Sequence, residues 1–183
     1  MSDDPPPTAS RDDPPPTASR DDPPPTASRG VRRPAFDIRV SSDGVRVPLA
    51  LARVERIADR TLMWEKCMLP VVLAITFVSD RAIARLNREY LGHRGATDIV
   101  TFEHARLTDD SPVVGDVYIA SAYARANARA YGAPVREEIA RLTIHGVLHA
   151  LGGHHPEGEG RLESDMWRRQ ERWLERVRRA GLV

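Results

Sequence analysis

Four of the chain's six histidines fall in the run His145-Gly146-Val147-Leu148-His149-Ala150-Leu151-Gly152-Gly153-His154-His155. The pattern is H-x-x-x-H-x-x-G-x-x-H, and each interval has a mechanical reason. Residues four apart share a helix face about one turn apart, so His145 and His149 aim their imidazoles at a common point. Gly152 suits a helix C-terminus, where a left-handed residue reverses the chain without a Cβ clash. Three residues on, the returning chain brings back His155 as a third nitrogen ligand. Three neutral imidazoles leave one corner of a tetrahedral zinc open to water, which is how catalytic rather than structural sites are built. One zinc ion per chain is expected, on His145, His149 and His155. A polar helix face would explain a lone pair of histidines, but not this cluster with its glycine. His154 competes with its neighbour as a ligand; the x-x-G-x-x spacing favours His155.

Zinc metalloproteases carry a glutamate directly after the first histidine, as general base. Gly146 occupies that place here. The spacing is similar to that of a metzincin, but peptide hydrolysis by the usual route is disfavoured.

At 183 residues the chain suits one folded domain. Residues 3–11, Asp-Asp-Pro-Pro-Pro-Thr-Ala-Ser-Arg, recur verbatim at 12–20 and 21–29 and hold nine of the fifteen prolines. Such a segment has no apolar face to bury, and its proline triplets favour extended polyproline II. Residues 1–30 therefore read as a disordered tandem-repeat tail, with 31–183 as a single domain. Without the six Asp and three Arg of the repeats, the chain carries a net charge of +4. That is compatible with RNA but does not argue for it. Lys66 is the only lysine and Cys67 the only cysteine. With no intrachain disulfide, no signal-peptide core and no apolar run of membrane-spanning length, a reducing, cytoplasmic setting away from any membrane is expected.

Elements must position the histidines. Alternation over residues 36–40 predicts a half-buried strand, and Pro48 stands near the start of a helix through Leu51, Val54, Ala58 and Leu62. The β-branched run 71–78 predicts a strand covered on both faces. Ser79 or Asp80 caps a helix whose inward stripe is Ile83, Leu86 and Tyr90. Further strands are predicted at 98–102 and 115–119, and helices at 121–131, 135–151 and 162–179. On the last helix, Arg168, Arg169, Arg172 and Arg176 read as a surface paired with Glu163, Glu171 and Glu175 rather than as an RNA patch. The predicted fold class is α+β (α/β-like): a four-stranded mixed sheet packed with about five helices, the histidine-bearing helix central.

The histidine run resembles the signature H-G-x-L-H-L-x-G-Y-D-H of the YbeY family of bacterial rRNA maturation factors. Two more blocks are similar to that family: Leu86-Asn87-Arg88-Glu89-Tyr90-Leu91 with Thr97-Asp98-Ile99-Val100-Thr101-Phe102, and Gly115-Asp116-Val117. They stand in the family's order and cover most of residues 35–180. The resemblance implies a single-strand-specific, metal-dependent endoribonuclease acting on ribosomal RNA at the 3′ end of the small-subunit rRNA and in ribosome quality control, with that RNA and the small ribosomal subunit as partners. The chain departs from the pattern where Leu91 replaces an arginine, Ala150 a leucine, and Gly153-His154 a Tyr-Asp pair. With Gly146 offering no base, proton transfer falls to Asp98, Asp116, His154 or the RNA itself. Arg88 and Arg94 are candidate phosphate contacts. The aspartates serve equally as strand-end hydrogen-bond acceptors and the arginines as solvent-exposed charge. Two other classes stay open: a ribosome-assembly factor with a non-catalytic zinc, and a metalloprotease.

Overall fold

Apolar and polar side chains alternate along β1 (Phe36–Ser42), which turns Phe36, Ile38 and Val40 to the core. After it come α1 (Leu51–Trp64), β2 (Val71–Val78), α2 (Asp80–Leu91), β3 (Ile99–Glu103), β4 (Val113–Ala120), α3 (Ser121–Ala130), α4 (Val135–Ala150) and α5 (Asp165–Arg179). The computed structural model describes residues 34–156, 158 and 160–183; the repeats read as a tail lie outside the described residues. The sheet runs β1-β2-β4-β3. β1, β2 and β4 are parallel, and β3 returns antiparallel to β4 with Val100 opposite Tyr118. Four mixed strands with five helices make the expected α+β architecture.

α4 is the central helix. It packs against α1, α3, α5, β3 and β4, and its buried positions run almost all round it, from Glu138 to Ala150. Such a helix needs neighbours on every side. Two glycines let it approach the sheet. A Cβ at Gly146 would lie 2.5 Å from Val117 Cγ1, and one at Gly115 would lie 2.9 Å from Ala150 Cβ. The core beneath includes Phe77, Ile119, Ile139 and Leu148, all fully buried, each contributing roughly 1.5–3 kcal/mol.

Three expectations need correction. The β2 run is apolar throughout, yet only one sheet face is fully covered, and Val72 is 42% exposed. Helices α1 and α4 fill one face; α2 shields only part of the other, around Val78, Ile83, Val100 and Ala120. Tyr90 does not join the inward stripe of α2. Asn87 takes that place and donates from Nδ2 to the Gly95 carbonyl at 3.1 Å, while the exposed Tyr90 ring meets Phe102 edge-on at 5.2 Å. Pro48 stands just before α1, as expected, and Ala50 is the N-cap. Finally, α5 opens at Asp165, not at 162, because Ser164 Oγ accepts the Trp167 amide at 3.1 Å and caps the helix there.

The arginines of α5 are indeed engaged on the protein itself, although their partners differ from those expected. Arg169 pairs with Glu65, the C-cap of α1, and Trp173 Nε1 donates to the same carboxylate at 2.5 Å. Trp173 stacks on Trp64 with centroids 5.5 Å apart, and Arg176 lies 5.0 Å above the Trp173 ring. These contacts fasten α5 to α1 and so hold α5 over α4.

Candidate metal centre

His145 and His149 stand on the last two turns of α4. The helix ends with a 6→1 hydrogen bond from Gly153 N–H to the Leu148 carbonyl, 2.9 Å, around Gly152 at φ 81°. That reversal returns His155 to the helix end. The three Nε2 atoms converge: 3.1 Å for His145–His149, 3.3 Å for His149–His155 and 3.4 Å for His145–His155. A tetrahedral ion with nitrogens at about 2.0–2.1 Å needs them roughly 3.3–3.4 Å apart, so the triangle fits. His145, His149 and His155 thus form a cluster able to hold a metal ion.

The opposite edge of each ring fixes its orientation. His145 Nδ1–H donates to Gln170 Oε1 at 2.8 Å. His155 Nδ1–H donates to the Pro156 carbonyl at 3.0 Å, and His149 hydrogen-bonds to the Gly153 backbone. With Nδ1 committed, Nε2 presents its lone pair to the common point. Burial, followed by the charge of neighbouring imidazoles, pushes His145 down to about 3 and His149 down to about 4, from an ordinary 6.5. Both rings are neutral at pH 7, as coordination requires.

Gln170 is itself buried and donates from Nε2 to Glu171 Oε1 at 3.0 Å. Glu171 accepts from Arg141 Nε at 2.9 Å, and Arg141 Nη1 reaches Glu138 Oε2 at 2.6 Å. Asn127 Nδ2 links Glu138 Oε1, at 3.5 Å, to Asp98 Oδ2, at 3.3 Å. A continuous polar chain therefore runs from a ligand histidine to Asp98. It walls a cavity of about 530 Å³ between α3, α4, α5 and the loop before α5, lined by His145, Asp98, Arg141 and Arg161 among others.

The remaining candidates are scattered. Asp98 stands in the cavity wall, also accepting from Thr97 Oγ1 at 3.1 Å. His154 is exposed, with its ring centroid 6.2 Å from that of His149. Asp116 is not at the histidines. Its neighbours Gly115 and Val117 face α4, so the two-residue period of a strand sends Asp116 to the opposite face, where His104 Nε2 lies 2.8 Å from Oδ2. Arg88 is exposed beside Glu89, 3.9 Å away, and Arg94 is exposed in the following loop; neither lines the cavity. Sequence reasoning missed Gln170 and Arg161. Gln170 was detectable as a polar residue on the apolar stripe of Met166 and Trp173. Arg161, in a glycine-rich loop, had no periodic signal.

A central helix and its return loop bring three imidazoles together in an α+β domain, as a cluster that could hold a metal ion. The sequence model of one family, described as Endoribonuclease YbeY, matches residues 39–178. The chain belongs to that family. The Endoribonuclease YbeY of Exiguobacterium sibiricum is 36% identical over 134 residues, covering 68% of this chain and 84% of that protein. That of Persephonella marina is 39% identical over 95 residues, and the chain spans only 60% of its length. The solution structure of TM1509 from Thermotoga maritima has the same fold, with a TM-score of 0.51 at 20% identity over 79% of this chain and 91% of that one. Among the described residues no helix is long and apolar enough to cross a membrane.

Proposed function

We propose that this protein is a zinc-dependent, single-strand-specific endoribonuclease acting in the cytoplasm on ribosomal RNA, at the 3′ end of the small-subunit rRNA and in ribosome quality control. Family membership supports the reaction class, and the convergence of three neutral Nε2 atoms beside a polar cavity is the observation that carries the metal dependence. His145, His149 and His155 hold the ion. When bound, zinc would supply Lewis acidity and lower the pKa of water toward neutrality. The protein supplies the rest. Gln170, the Gly153 backbone and the Pro156 carbonyl orient the imidazoles. Asp98 is held by Thr97 and Asn127 in the wall shared with His145 and is the group proposed to accept a proton there. His154 stands exposed beside the ligands as a second proton-carrying group. Asp116, on the other sheet face, takes no part.

Elemental analysis of purified protein, then incubation with precursor rRNA with and without chelator, tests this reading. One equivalent of zinc and chelator-sensitive cleavage are expected, and the end chemistry of the products identifies the nucleophile. Zinc-loaded protein that binds small-subunit RNA but never cleaves it would replace the reading with a non-catalytic assembly role. Hydrolysis of a peptide library would replace it with proteolysis, which Gly146 opposes.

A further inference from the structure

Two arginines line the cavity beside His145, and their surroundings differ. Arg141 is held between Glu138 and Glu171, so its charge is cancelled by carboxylates. Arg161 forms no ion pair among the described residues. Its Nε is buried without a hydrogen-bond partner, and its Cζ lies 6.0 Å from the centroid of the Trp167 ring. The backbone at this position is tied down: Arg161 N–H donates to the Gly158 carbonyl at 3.2 Å, and Ser164 Oγ donates to the Arg161 carbonyl at 2.6 Å. Its positive charge acts on both His145 and His149, which places the guanidinium within electrostatic reach of the ligand cluster.

A buried N–H with no acceptor is a cost that a native fold carries for a reason. Guanidinium is a planar fork of donors with no acceptor capacity, and it matches the paired oxygens of phosphate. The Trp167 ring lies beside that fork, within the outer reach of a cation–π contact. We infer that Arg161 is a phosphodiester-binding residue of this site, taking non-bridging oxygens of the RNA strand that lies along the cavity beside the histidines. The inference rests on the RNA-cleaving reading above. It adds a substrate contact that comes from the loop before α5, distinct from Arg88 and Arg94.

Binding of a fluorescently labelled single-stranded oligoribonucleotide to metal-loaded protein, followed by anisotropy across a salt series, is the test. Arg161→Gln is expected to bind about 10- to 100-fold more weakly. The slope of log affinity against log salt should shrink by about 0.7, the signature of one lost phosphate contact on a single strand. Arg161→Lys should restore the slope without restoring full affinity, because a point charge replaces a fork. Metal stoichiometry should be unchanged in both. Wild-type affinity and slope in Arg161→Gln would overturn the assignment, as would loss of the metal, which would make Arg161 a support of the cluster. Should Arg161→Gln fail to fold, Arg161→Lys decides alone: wild-type affinity in that variant overturns the bidentate contact. A wild-type protein that keeps its metal but neither binds nor cleaves RNA would remove the parent reading as well. RNA binding by wild type, matched by Arg161→Gln, removes only this one.

Discussion

His145 shows how much one side chain depends on its support. Its Nε2 is turned toward the other two histidines because Nδ1–H is engaged by Gln170, which leaves its lone pair free for the proposed ion. Gln170→Leu keeps the approximate volume and removes the acceptor, so metal affinity is expected to fall by about 10- to 100-fold; competition with a chromogenic chelator measures it. His145→Ala and His149→Ala each remove a ligand outright. Loss of stoichiometric zinc by elemental analysis is expected from each, and stoichiometric zinc in the double variant would refute the site. The convergence of the three histidines was legible in the sequence because the spacing 4, then 3 past a glycine, is a geometric instruction local to one helix end. The supporting glutamine was not, because its contact spans 25 residues and no local pattern encodes it. Asp116 stands apart from the histidines for the converse reason: its neighbourhood is set by strand pleat, and one position along β4 is the difference between two faces.

Helix α4 owes its closeness to the sheet to missing side chains. Gly146 removes a general base, but the structure gives it a second meaning: Val117 and Ile99 occupy the space any Cβ would need. Alanine is the better helix former by about 1 kcal/mol, yet Gly146→Ala is expected to destabilise by about 1–2 kcal/mol through overpacking. Urea melts test this, and a variant as stable as wild type would show that Val117 yields. Adding Val117→Ala should recover part of the loss. Periodicity exposed the existence of each helix and strand, as α4 and β2 show. Their ends were less legible, since a single hydroxyl, that of Ser164, moved the start of α5 by three residues. Tyr90 was misplaced because helical spacing marks an apolar stripe without saying how far the opposing surface extends.

Across the whole domain, the buried histidines tie stability to acidity. An unfolded histidine titrates near 6.5, whereas His145 and His149 do so near 3 and 4 in the fold. As pH falls below 6.5 the unfolded chain takes up protons that the folded state refuses, so folding weakens progressively down to those values. Chelator-stripped protein should melt at steadily lower temperature between pH 6.5 and 4, and His149→Asn should flatten that decline; identical slopes would contradict the assignment. The fold class was readable because alternating strand and helix periods admit few packings. The strand order was not, since β4 inserts between β2 and β3 through contacts no local pattern announces. One consequence of the Gly152 reversal reaches beyond the ligands. A cation shared by His149 and His155 would staple the end of a helix to the segment that leaves it, closing a ring only a few residues long. Loading the ion should slow amide exchange across residues 150–156 while leaving the central strands unchanged. Metal uptake would then act as a local clasp on an already folded scaffold, not as the event that folds it.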